Sequence, residues 1–134
     1  MYGLSDEDLD IQARARTFAD ELIPFETTAE MNGGELPKDV VAGHAARARE
    51  LGLAAANMPR ELGGGGYTSL QQVLVQEQVG RVTNALAWSA TTPPSWFPPV
   101  ATPDQLERFV RPTILGKREE CYAITEEGAG SDLP

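Results

Sequence analysis

Cys121-Tyr122-Ala123-Ile124-Thr125-Glu126-Glu127-Gly128-Ala129-Gly130-Ser131-Asp132-Leu133 is the stretch on which the reading of this chain turns. Cys121 to Thr125 is strand-like, and Glu120 to Thr125 is the one segment that reads as a strand. It runs into a Gly-Ala-Gly-Ser-Asp turn. Such a turn exposes closely spaced backbone N–H groups and sets a serine hydroxyl beside them, a workable nest for a phosphate or a flavin. Pro134 follows at once. The chain is therefore expected to be part of something longer.

Everything upstream reads as helical. Leu4-Ser5-Asp6-Glu7-Asp8-Leu9 is a helix start, with Ser5 as cap, acidic residues at the positive end of the dipole, and Leu4 and Leu9 spaced as a hydrophobic staple. Ile11, Ala15, Phe18, Leu22 and Phe25 recur at helical spacing, and Pro24 is expected to kink or end the helix near Leu22. Thr27 to Glu35 reads as a loop. Pro37 suits the first position of a second helix and Gly52 its C-terminal cap, with Val41, Ala45 and Ala48 as a close-packing stripe flanked by Val40, His44 and Leu51. Gly63 to Gly66 reads as a flexible break. Ser69-Leu70-Gln71-Gln72 is a capping box for a third helix running to about Arg81, with Glu77 and Arg81 in favourable i,i+4 order. Pro93-Pro94 and Pro98-Pro99 forbid one continuous helix between Asn84 and Pro103, although Trp88 to Thr92 suits a helical turn. Thr102 is read as the cap of a short helix from Pro103, and Arg111 to Leu115 as a further turn ended by Gly116.

The composition narrows the function. One domain suits 134 residues. A net charge of −9 with no basic stripe argues against a nucleic-acid partner. Any anionic ligand must be held by local donors rather than by the overall field. A lone cysteine, Cys121, leaves no internal disulfide or cysteine-rich metal site, which fits a reducing cytoplasm. No apolar run approaches the length of a membrane span, and no metal site is expected.

Several residues that could carry chemistry read more simply. The glycine run at 63–66 lacks the Lys-Ser/Thr of a P-loop and the strand–turn–helix setting of a dinucleotide fingerprint. His44, the only histidine, has no partner at a diagnostic spacing and is assigned a structural or surface role. Cys121 has no basic neighbour nearer than Arg118 and reads as a packed strand residue. Asp6 to Asp8 is taken as a solvated helix start. Trp88, Trp96 and Phe97 lie among prolines; core packing is the default, and a rigid apolar pocket wall, with Trp96 touching substrate, is the alternative.

The order of these features resembles the N-terminal part of the acyl-CoA dehydrogenases. Ala123 to Asp132 matches that family's flavin-site signature, with Glu127 at a position the signature leaves free. Leu51-Gly52-Leu53 followed by Met58-Pro59-Arg60-Glu61-Leu62-Gly63-Gly64-Gly65-Gly66 is similar to the family's helix–turn and its Pro-Glu-x-x-Gly-Gly run. Glu77 to Arg81 resembles a Glu-x-x-Gly-Arg, and Thr102 to Gln105 a Thr-x-x-Gln.

The resemblance implies an all-α N-terminal helical domain over residues 1–117, of about five to six helices. Residues 118–134 would begin a central β-domain, and a C-terminal four-helix bundle would follow elsewhere. It implies FAD as cofactor, with Tyr122, Ile124 and Thr125 along the flavin ring and the Thr125 hydroxyl on a polar edge. Gly130 and Ser131 would hold the pyrophosphate, and Ser131 would also lie near the acyl-CoA. The implied reaction is α,β-dehydrogenation of an acyl-CoA thioester, with its carboxylate base in the C-terminal domain and no glutamate here in that role. Electrons would pass to an acceptor such as an electron-transfer flavoprotein, and the intact enzyme would be a homo-oligomer. This chain alone is expected to be inactive.

Two departures stand out. Thr92 to Val100 is proline-rich where the family has a helix against the acyl pocket, which leaves a short, branched or atypical acyl group open. Leu106 replaces a usual lysine. A same-fold flavin oxidase or monooxygenase, or a truncated non-enzymatic interaction module, are the competing readings.

Overall fold

The first helix, α1 (Asp6–Leu22), begins where the acidic turn predicts it. The computed structural model describes residues 3–83, 86, 90 and 93–118. Ser5 accepts from the Asp8 backbone N–H at 3.2 Å, while the Asp8 carboxylate accepts from both the Ser5 N–H and its hydroxyl, which closes a reciprocal capping box. Ile11, Ala15, Phe18, Ala19 and Leu22 form the buried face. As Pro24 leads one to expect, the helix ends at Leu22. Pro24 sits in a single 3-10 turn, Ile23–Phe25, that hands the chain to a second helix, α2 (Glu26–Met31).

That helix corrects the loop expected over Thr27 to Glu35. Ala29 is fully buried, and the turn ends only at Asn32, whose amide donates to the Thr28 carbonyl, before Gly33 and Gly34 adopt positive φ. α3 (Lys38–Glu50) follows, with Pro37 as its N-cap rather than its first residue, and Gly52 at φ +70 just past the Leu51 cap. Its inward side is Ala48 with half-buried Val40, His44, Ala45 and Leu51. Val41, expected in the packing stripe, is 46% exposed.

α4 (Ser69–Val79) is capped by Thr68 and not by Ser69. Gln71 is then the third helical residue, and its side chain closes the box on the Thr68 N–H at 3.0 Å. The helix stops at Val79, so Arg81 lies beyond it and the Glu77–Arg81 pair does not form. Arg81 reaches Asp20 at 2.7 Å, and Glu77 accepts from Gln12 at 3.4 Å. With Gln71 on Asp8 at 3.1 Å, these contacts advance along α1 and α4 together, so the two helices run parallel and α2 and α3 make the return between them.

Their shared face is the main core: Ile11, Ala15, Phe18 and Leu22 meet Ala48, Leu53, Val75, Val79, Val82, Leu86 and Ala90. Each large side chain such as Phe18 contributes about 1.5–3 kcal/mol by leaving water. A second cluster, Ala55, Met58, Leu62, Val110 and Ile114, joins the loop after α3 to the last helix. That helix, α5, is continuous through Pro103–Gln105, a π-helical turn Leu106–Val110, and Arg111–Ile114, and Thr102 caps it as expected. Among the described residues the architecture is all-α, and no helix is long and apolar enough to cross a membrane. The expected strand and the turn at Trp88 to Thr92 lie outside the described residues, apart from the isolated buried Ala90.

Candidate functional site

Met58, Pro93, Pro94, Phe97, Phe109, Val110 and Thr113 enclose an open cleft of about 270 Å³ beside the second cluster. Among the described residues its one side-chain hydroxyl, on Thr113, already donates to the Phe109 carbonyl at 2.9 Å. The cleft therefore presents mainly hydrocarbon, aromatic carbon and a thioether, with a smaller polar share. It falls just below the roughly 300–1,000 Å³ usual for a drug-sized ligand, and suits one apolar group rather than a whole cofactor.

The wall from α5 owes its shape to Pro112. A proline inside a helix has no N–H to donate and its ring crowds the carbonyl four residues back, here Arg108. The chain widens by one residue: the Arg111 N–H reaches back to Leu106. Phe109 and Val110, in the widened turn, line the cleft.

Met58 reaches the cleft from the end of the turn Ala55 to Met58. Ala55 holds φ +50, a conformation that side chains resist, yet it is buried. The glycine run fixes this turn. Gly65 N–H donates to Ala55 at 3.0 Å, Gly66 to Met58 at 2.8 Å and Tyr67 to Ala56 at 2.8 Å. A methyl group on Gly64 would collide with the Met58 carbonyl. The run is thus a packed strap and not the flexible break that its composition suggests. Above it, Arg14 donates to the Leu51 carbonyl and, at 3.1 Å, to the Tyr67 hydroxyl, so α1 steadies both ends of the loop.

The third wall is the diproline. Asn57 donates its side-chain amide to the Pro93 carbonyl at 2.6 Å, a link across 36 residues. The amide's own oxygen is buried without a hydrogen-bond partner among the described residues.

The residues expected to act sort unevenly. Trp96 is 70% exposed, which overturns core packing as its default. Its ring tilts against Phe97 at 5.6 Å, but Phe97, and not Trp96, is among the cleft residues. Tyr122, Ile124, Thr125, Gly130 and Ser131, together with Cys121 and Trp88, lie outside the described residues. His44 packs edge-on against Phe25 at 4.7 Å, and burial lowers its pKa, which favours the neutral ring. Asp8 is not merely a solvated helix start: it is buried and holds Gln71, with its carboxyl drawn below the usual range by the Ser5 N–H, the Ser5 hydroxyl and the Gln71 amide. Among the described residues no group of three or more His, Cys, Asp or Glu is placed to hold a metal. Sequence reasoning missed Met58, Phe109, Val110 and Thr113; the available signal was Pro112 inside a segment with helical Leu106, Val110 and Ile114 spacing.

The fold and cleft define a helical domain with an open, mainly apolar cleft on its surface. The family model described as acyl-CoA dehydrogenase, N-terminal domain, matches residues 5–117. The chain belongs to that family. It is 31% identical to a caffeyl-CoA reductase–Etf complex subunit, CarC, of Acetobacterium woodii, over 98% of this chain and 35% of that protein. It is 31% identical to a 3-(aryl)acrylate reductase of Clostridium sporogenes, over 91% of this chain and 32% of that protein. It is 26% identical to a probable mitochondrial medium-chain specific acyl-CoA dehydrogenase of Caenorhabditis briggsae, over 98% of this chain and 32% of that protein. The chain spans about a third of the length of these relatives. No solved structure matches it.

Proposed function

We propose that this chain acts as the helical N-terminal part of an FAD-dependent acyl-CoA dehydrogenase and supplies one wall of its acyl site. The observation that carries the reading is the family match across residues 5–117. The cleft gives that match a physical role, because a mainly apolar surface, with the Thr113 hydroxyl already donating to the Phe109 carbonyl, favours an acyl tail.

The donor set toward the end of the chain suits FAD. Gly130 lets backbone approach a pyrophosphate closely, and the Ser131 hydroxyl and neighbouring N–H groups can hold it without a net positive charge. Tyr122, Ile124 and Thr125 would border the flavin ring, with the Thr125 hydroxyl on its polar edge. When bound, FAD supplies the hydride acceptor for α,β-dehydrogenation of the thioester. No glutamate of this chain is assigned as the α-proton base, so the chain by itself is expected to show no turnover. The Etf in the name of the Acetobacterium relative supports an electron-transfer flavoprotein as partner. Assembly as a homo-oligomer and a cytoplasmic location complete the reading.

A second direction has support of its own. Two of the relatives are named as reductases of aryl-conjugated substrates. The same site run in reverse would saturate an enoyl thioester.

The test uses the complete gene product. Ser131→Ala is expected to lower bound flavin per polypeptide, read from the absorbance of the purified protein. Full occupancy in that variant removes Ser131 from the site. Anaerobic addition of a saturated acyl-CoA is expected to bleach the flavin of the unaltered protein. Reoxidation of reduced flavin by an enoyl-CoA, with no bleaching by saturated thioesters, selects the reductive direction instead.

A further inference from the structure

We infer that Asn57 is a positioning residue that sets the Pro93–Pro94 wall and so decides which acyl groups the cleft accepts, an inference that rests on the cleft being the acyl wall proposed above. Asn57 is not itself among the cleft residues. It lies behind them, next to Met58 in the chain and bonded to the Pro93 carbonyl at 2.6 Å.

The bond fits what each side can offer. Pro93 and Pro94 have no N–H, so this strap can be gripped only through its carbonyls. The gripping side is held rigidly: Gly65, Gly66 and Tyr67 clamp the backbone on either side of Asn57, and Ala55 is kept at positive φ two residues before it. Backbone strain of this kind persists only where the surroundings over-determine it. The amide makes a poor stabiliser in itself. Its oxygen is buried without a partner among the described residues, a cost that an apolar side chain of similar shape would not carry. What an apolar replacement would lose is the donated bond, and with it the spacing between the diproline and Val110.

A shift on the scale of one methylene is the scale on which apolar pockets discriminate. The test is made in the complete protein that carries this chain. Values of kcat/KM for butanoyl-CoA, octanoyl-CoA and 3-phenylpropanoyl-CoA are compared in wild type, Asn57→Leu, Asn57→Gln and Val110→Trp. Asn57→Leu is expected to change the ratio between the bulkiest and the shortest substrate by about tenfold, mainly through KM. Asn57→Gln, which keeps the donor, is expected to recover part of the wild-type ratio. An equal fall for all three substrates in Asn57→Leu, with the ratio intact, means that Asn57 only supports the fold, and the inference fails. If Asn57→Leu does not fold, near-isosteric Asn57→Asp, which has no donor at neutral pH, carries the same comparison. Val110→Trp fills the cleft directly. An unchanged profile in that variant overturns both the acyl-wall reading and the inference built on it. A changed profile there, with wild-type ratios in the Asn57 variants, overturns the Asn57 inference alone.

Discussion

Gly64 and Gly43 look alike in the sequence and make opposite demands on the fold. A Cβ at Gly64 would meet the Met58 backbone, which cannot move without opening the strap beneath the cleft. A Cβ at Gly43, in the middle of α3, would meet open space. Gly64→Ala is therefore expected to destabilise the chain by about 1–3 kcal/mol, and Gly43→Ala to stabilise it by about 0.5–1 kcal/mol. Urea midpoints of the two variants measure both. A wild-type midpoint for Gly64→Ala returns the glycine run to a loose linker. The sequence shows where glycines cluster but not which one another backbone presses against. The same limit applies to Trp96 and Phe97. Adjacent residues in a turn face different sides, and only the backbone angles tell which ring joins the cleft.

At the scale of elements, the starts of α1, α3, α4 and α5 were legible to within one residue, and that residue matters. Thr68 and Ser69 can both cap α4. The tie is broken by Gln71, which must be the third residue both to close the box and to reach Asp8. Two capping boxes are thereby joined through one buried hydrogen bond, which locks the register of α1 on α4. Thr68→Ala is expected to cost about 1 kcal/mol, and Ser69→Ala almost nothing. Asp8 adds a pH dependence. Its folded carboxyl lies below the ordinary value of 3.8, so its contribution is complete above that value and is lost as pH falls through the lower, folded one. Asp8→Asn should flatten the acid limb of stability against pH below about 4; an unaltered limb means that the Ser5 and Gln71 bonds do not favour the charged form. α2 was missed for a related reason. Asn32-Gly33-Gly34 is a strong loop signal, but it marks the end of the helix, and the burial of Ala29 that sustains the preceding turn is a tertiary fact.

At the scale of the whole molecule, the described residues divide their packing between two clusters that serve different ends. One joins α1, α3 and α4 and sets the helical class, which amphipathic spacing and the family motifs already conveyed. The other, on which the cleft depends, comes from the loop after α3 and from α5, and its key device, the widened turn before Pro112, has no amphipathic signature. Ile114 is buried in that second cluster and is not a member of the first. Ile114→Ala is expected to cost about 2–5 kcal/mol, but the loss should be local. Amide hydrogen exchange should accelerate over Leu106 to Leu115 and around Leu62, while the central amides of α1 and α4 keep their protection. Equal loss of protection in α1 and α4 would mean that the clusters unfold as one unit, and that the cleft wall is as firmly held as the helices it rests on. Protection that survives in α1 and α4 alone would mean that the wall can adjust while its foundation stays folded, as the proposed acyl wall would require.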